Sequence, residues 1–396
     1  MTVISLFRRA AWTFLVICLA GSVAADSYHP DILKSQVVTL DAGAIERNAQ
    51  SSTPFDLVLG DVHFTLVLAP APLFPKGGLP VFEVFKGGVT KRIVGAEITY
   101  AGDVVGEDPK STEARFAISR GVLDGYVLSS AGWYFIEPLS RFDAKAGRDQ
   151  YLVYATRDLD FALPYGDDGV ILDTVIDWTT ADDGRIPVAM VADSIYISLS
   201  GESFTFDERQ AALLNKVNGI YHDQTGRDFK MQAAVGDNAG LHLTSTDAPT
   251  LLDKIWPFLQ IFGGLSALQS EVAHLTTAKN LDGNTLGIAF IGGRTGLSQQ
   301  AVVFAGGGGG GGGTAARLSF QNMMVAAHEL GHNFNGEHGE ADKWCVTSVL
   351  ICLDYERTIM WPTFFDDNNA RFSDGTRDPN HNNRRRIRDN MALRGF

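Results

Sequence analysis

Cysteine is nearly absent: the 396-residue chain holds three. Cys18 lies in an N-terminal stretch that reads as a leader, which leaves Cys345 and Cys352. That excludes a scaffold built on many disulfides and a metal site built of cysteines alone. In an oxidising compartment the remaining two form a candidate local disulfide, worth about 2.5 kcal/mol by chain entropy for so short a loop. Positive charge is also scarce, with 33 Lys and Arg against 46 Asp and Glu and a formal net charge of -13. This balance argues against a nucleic-acid partner and for a soluble, extracytoplasmic protein. The basic cluster Arg384, Arg385, Arg386 and Arg388 is the exception, and it reads as the solvated face of a terminal helix. Long uncharged apolar runs are missing after residue 25, so no membrane span is expected.

What is present divides the chain into four parts. Arg8 and Arg9 precede an apolar run from Ala10 to Ala24, with small residues at Ser22, Ala24 and Ala25. That is the pattern of a secretory signal peptide over residues 1–25, so the protein is expected to be secreted or extracytoplasmic, in the periplasm or outside the cell. Residues 26–157 read as a small, mostly β domain of short, partly alternating strands, among them Val62–Leu68, Val81–Phe85, Gly121–Leu128 and Trp133–Leu139. Residues 158–184 are rich in Asp and Gly and serve as a connector. From 185 to 396 strand and helix patterns mix, which predicts an α+β fold. A buried strand begins at Ile186, and Thr205 with Glu208 forms a capping box for a helix to about His222. A strand follows near Phe229–Val235, then a helix over Ala248–Phe262 and a strand over Thr285–Ile291. The run Gly306–Gly313 is too costly in backbone entropy for a helix or strand and reads as a surface loop.

The most informative stretch is His328–His338, HELGHNFNGEH. A helix starting near Leu318, with Ser319 as a candidate cap, turns Phe320, Met324, Ala327, Gly331 and Phe334 toward a core. His328 and His332, four residues apart, then lie side by side and fit two vertices of a zinc ion, with Glu329 placed to reach a metal-held water. A third ligand at His338 requires a sharp turn after Phe334. Asn335 and Gly336 suit that turn because both tolerate the left-handed backbone. Three ligands leave one position open, which favours a catalytic ion over a closed structural one. His29, His63, His222, His242, His274 and His381 have no such spacing and read as surface or satisfied core residues.

With these residues in view, the sequence resembles the metzincin metallopeptidases, whose signature HExxHxxGxxH is matched by His328, Glu329, His332 and His338, with Asn335 at the glycine position. Thr358–Pro362 (TIMWP) resembles the Met-turn of that group, which implies that Met360 forms an apolar floor under the metal. Arg185–Ser194 and Leu275–Gly293 are similar to the first strand and the substrate-flanking edge strand of the reprolysin, or adamalysin, branch to which ADAM-type enzymes belong. Phe372–Ser373 resembles a pair near the end of its catalytic domain. Phe85–Val105 and Tyr126–Leu139 resemble the branch's propeptide.

The resemblance implies a twisted mixed sheet with an active-site helix and Met-turn, preceded by a propeptide that keeps the enzyme latent until removed. It also implies protein or peptide substrates lying along Leu286, Gly287, Ile288 and Ala289, one catalytic zinc, and hydrolysis by a zinc-activated water with Glu329 as general base. Three departures stand out: Gly339 replaces an aspartate, most of the branch's cysteines are missing, and the propeptide-like segment has no cysteine to place a thiolate on zinc. The competing expectation is a catalytically silent, secreted, zinc-containing binding protein, which the intact Glu329 argues against.

Overall fold

The computed structural model describes residues 28–59, 62–95, 98–159, 171–172, 183–199, 204–283, 285–303, 314–338, 345–346, 351–352, 360 and 382–396. The expected signal peptide, the glycine run, Phe372–Ser373, His381 and most of the connector lie outside these residues.

The N-terminal half runs β1 (Gln36–Thr39), α1 (Ala42–Gln50), β2 (Phe55–Leu59), β3 (Val62–Pro70), β4 (Leu79–Phe85), β5 (Gly88–Val94), β6 (Thr99–Val104), β7 (Glu113–Ser119), β8 (Val122–Ser129), β9 (Gly132–Pro138) and β10 (Gln150–Ala155). Within the connector, Ile171–Leu172 forms β11. Then come β12 (Ile186–Ala192), α2 (Ser194–Ser198), α3 (Phe206–Thr225), β13 (Phe229–Gly236), α4 (Ala248–Gln260), α5 (Gly264–Ala267), β14 (Val272–Thr277), β15 (Gly287–Ile291), β16 (Thr295–Gln299), α6 (Ser319–Asn333) and α7 (Asn383–Leu393). The α+β order expected from the sequence is therefore present. No helix among the described residues is long and apolar enough to cross a membrane.

Two eight-stranded sheets organise the chain. The first has the order β1-β10-β9-β8-β7-β6-β3-β2, and the second β11-β15-β16-β14-β12-β13-β4-β5. The first is antiparallel throughout. In the second, β12, β13, β14 and β16 run parallel and β15 antiparallel to β16. One assignment crosses the expected domain boundary: the hairpin β4–β5 leaves the N-terminal sheet and pairs in parallel with β13 through Val81–Ala234, Phe82–Val235 and Glu83–Gly236.

Helices α3 and α6 lie between the sheets, and α4 covers the far face of the second. This explains the burial of β12. Val188, Met190 and Ala192 face the core shared with the first sheet, and Ala189 and Val191 face the core under α4. The shared core is continuous, joining Phe116, Tyr126 and Phe135 of the first sheet to Leu214, Val217, Phe320, Met324 and Phe334 of the helices. The ring of Phe135 meets Phe320 edge-on at 5.6 Å.

Polar contacts follow the same seam. Half of the expected capping box of α3 forms: the Thr205 N–H donates to Glu208 at 2.7 Å, while the Thr205 hydroxyl makes no cap bond. Glu208 also accepts from the Ser119 hydroxyl of β7 at 2.8 Å. Lys216 of α3 reaches Asp124 of β8 at 2.7 Å. Burial opposes ionisation of Asp124, but Lys216 and Arg141 beside it hold its carboxyl below the usual range.

Candidate active site

Helix α6 begins near Leu318 as expected, but Ser319 is not its cap. Leu318 occupies the N-cap position and Ser319 is the first helical residue. The cap comes from the other half of the chain, because a Glu137 carboxylate oxygen accepts the Ser319 N–H at 2.7 Å and the Tyr154 hydroxyl accepts the Phe320 N–H at 3.4 Å. A carboxylate at this end also meets the positive end of the helix dipole. The expected core stripe is buried, and so is every other residue of α6. Sequence periodicity assumed one solvent-facing side, whereas the helix is enclosed: Phe320 of the stripe meets the first sheet, and Glu329 and Asn333, off the stripe, pack against β15 and β16 of the second.

At the other end of the helix the chain turns where the sequence predicts, but of the expected pair only Asn335 is left-handed. Asn335 adopts a left-handed φ of 69°. Gly336 fits because the methyl of Met360 would lie 3.1 Å from any Cβ placed there, and the Gly331 carbonyl oxygen 2.9 Å. Met360 is fully buried.

The turn brings His338 back to the helix. His332 Nε2 lies 2.9 Å from His328 Nε2 and 3.2 Å from His338 Nε2. The donor atoms of the three all fall within 4.8 Å of one another. A tetrahedral zinc held at about 2.0–2.1 Å from each nitrogen asks for nitrogen separations of about 3.3 Å. His332 Nδ1 sits 2.8 Å from the Gly336 carbonyl, so it carries the proton and leaves the Nε2 lone pair directed at the other two rings. Three imidazole nitrogens converging at this spacing are a donor set of the kind that zinc takes. The residues present therefore fit a zinc ion.

Glu329 is buried and packs against β15. A Cβ on Gly287 would lie 2.2 Å from Glu329 Oε1, and one on Gly296 would lie 3.6 Å from its Cβ. Gly287→Ala is thus expected to displace the carboxylate. A shift of about 1 Å in a reacting group can cost roughly 100-fold in rate, so with Glu329 as the proposed base kcat/KM should fall by about that factor while metal content stays unchanged.

Gly287, Ile288 and Ala289 pair with β16 and lie within β15, and Leu286 immediately precedes it. On the opposite side β11 pairs in parallel with Phe290 and Ile291. Among the described residues no strand pairs with Gly287–Ala289 on that side. Cys345 and Cys352 are opposed in register across a short antiparallel pair. The other described histidines stay apart from the triad. His274, for example, sits 2.7 Å from the Ser298 hydroxyl, and burial pushes its pKa down to about 3.

Several supporting residues carry no sequence signal. The Tyr221 hydroxyl donates to the Ala327 carbonyl at 2.9 Å, just before His328. Asn333 donates to the carbonyls of Phe290 at 3.2 Å and Thr295 at 2.8 Å, tying α6 to the β15–β16 hairpin. Arg394 donates to the Asn333 carbonyl at 2.7 Å and the Gly292 carbonyl at 2.9 Å.

Residues 183–373 match the model of metallo-peptidase family M12, Reprolysin_5. That match, with the histidine cluster, supports a metallopeptidase hydrolase acting on protein or peptide, in a family that generally uses zinc. Among solved structures, the chain is similar to metalloproteinase-II from Bacteroides fragilis at 10% identity and a TM-score of 0.49, covering 88% of this chain and 94% of that one. It is also similar to a chaperone-substrate complex at 11% identity and a TM-score of 0.35, covering 84% of this chain and 43% of that one. Neither likeness is close enough to carry a statement about fold or chemistry.

Proposed function

We propose that the chain is a secreted zinc metalloendopeptidase of the metzincin type, close to the reprolysin branch, with His328, His332 and His338 as metal ligands and Glu329 as general base. The carrying observation is the convergence of the three Nε2 atoms beside a buried glutamate that packs against the backbone of β15. Bound there, zinc supplies Lewis-acid polarisation of the scissile carbonyl and brings the pKa of water toward neutrality.

The chain's own residues do the rest. Glu329 accepts the proton of the attacking water on a carboxylate oxygen and passes it to the leaving amine. The Gly287–Ala289 backbone pairs with an extended substrate, so alignment draws on main-chain hydrogen bonds common to all peptides. Met360 packs against Gly336, whose carbonyl fixes the His332 ring, and so supports the ligand from beneath. The leader-like residues 1–25 support an extracytoplasmic setting, and the propeptide likeness supports latency before processing.

Chelation supplies the test. Cleavage of casein by the protein cut in the connector should disappear when metal is stripped and return when zinc is added, and the uncut form, latent by this reading, should cleave little. Cleavage that persists without metal would overturn the reading. A folded, zinc-loaded protein that cleaves no unstructured substrate in either form would favour the silent binding protein instead.

A further inference from the structure

The third metal ligand depends on backbone outside the helix, and a residue beyond the family match holds that backbone. Glu337, immediately before His338, has both of its main-chain polar groups bound by one side chain. Its N–H donates to Asn383 Oδ1 at 3.0 Å, and its carbonyl accepts from Asn383 Nδ2 at 2.9 Å. Asn383 is 2% exposed and opens α7. Its amide therefore takes the place of a neighbouring strand for a single residue.

The helix behind it is firmly seated. Ile387 and Met391 are fully buried in the shared core, with Phe396 at its edge. The Arg384 guanidinium donates to the Gln224 carbonyl near the end of α3. Arg386 forms an ion pair with the Glu337 carboxylate. Arg394, just past α7, grips the end of α6 through the Asn333 carbonyl and lies 4.7 Å over the Phe334 ring. The terminal helix thus touches the metal-binding segment on both sides of its turn, at Asn333–Phe334 and at Glu337.

We propose that Asn383 is a positioning residue for the metal centre, fixing the peptide groups of Glu337 so that His338 is presented to the ion. The inference rests on the zinc reading above. Groups that orient a metal ligand typically contribute about 10–100-fold in affinity. A free Glu337 segment would have to be ordered on each binding event, which weakens the third bond and leaves the first two untouched.

The test is a double-mutant cycle on zinc affinity, measured in the full chain by competition with a chromophoric chelator. Asn383→Ala should weaken zinc by about 10-fold or more. His338→Ala should weaken it further, and adding Asn383→Ala to His338→Ala should change nothing, because the ligand that Asn383 positions is already gone. Thermal unfolding of the metal-free proteins runs alongside, with Arg385→Ala as the control for an exposed α7 side chain. Asn383→Asp keeps the acceptor for the Glu337 N–H but sets a carboxylate oxygen against the Glu337 carbonyl, so it should weaken zinc at least as much as alanine and serves if alanine does not fold. Zinc bound equally by wild type and the Asn383 variants, or additive losses in the cycle, would overturn the inference. A wild type that takes up no zinc would instead sink the metal reading itself.

Discussion

A fragment beginning at residue 183 will not accumulate as a folded peptidase. Such a fragment lacks β4 and β5, so the free edge of β13 becomes a template for unwanted pairing. It also exposes the side of α3 around Gly219 and of α6 around Phe320 that the first sheet covers. Each large apolar side chain returned to water costs about 1.5–3 kcal/mol, so a few of them consume the roughly 5–15 kcal/mol by which a domain is stable. Glu137 leaves with the deleted part, and losing a cap costs about 1 kcal/mol more.

The expected observation is an insoluble or non-cooperatively unfolding fragment. By contrast, a chain cut within residues 160–182 should elute as one particle of unchanged mass and separate only in denaturant. The propeptide likeness implies processing, and the shared core adds a condition: a cut in the connector does not by itself release the N-terminal half. A soluble 183–396 fragment with a sharp thermal transition would refute this.

Replacing Glu329 with glutamine should lower kcat by about 100- to 10,000-fold, the usual contribution of a general base. Glutamine keeps the size of the side chain and its packing against Gly287. It cannot accept the proton. Because Glu329 is not among the proposed ligands, zinc measured by elemental analysis should remain at one ion per chain, and a peptide substrate should bind about as before. Retained turnover in this variant would move the base to another residue. Loss of zinc would mean that the glutamate had been helping to hold the ion.

The parts of the site legible in sequence were those encoded locally. His328 and His332 are fixed by helical spacing, and Asn335 announces the left-handed turn that returns His338. The Thr205–Glu208 box likewise needs nothing beyond four consecutive residues. What could not be read depends on partners distant in sequence. Residues 79–94 alternate like their neighbours, and alternation says that a strand has two faces without saying which sheet it joins. Ser319 looked like a cap because serine often is one; here its N–H goes to Glu137, and its hydroxyl contacts Lys216 and Arg141. Asn383 was hidden for a different reason. It binds main chain, and main chain leaves no trace in the identity of the residue it belongs to.

The excursion of β4 and β5 also bears on how the protein is made. Val81 and its neighbours leave the ribosome long before Ala234, the residue they pair with. Until β13 arrives, the outer edge of β4 is bare, and Phe85, Val89 and Ile93 stay exposed even in the finished fold. Contacts so far apart in sequence slow folding, and waiting strands are open to aggregation. Production of this protein should therefore be limited by the lifetime of that unpartnered hairpin, and slower synthesis at lower temperature should raise the soluble yield.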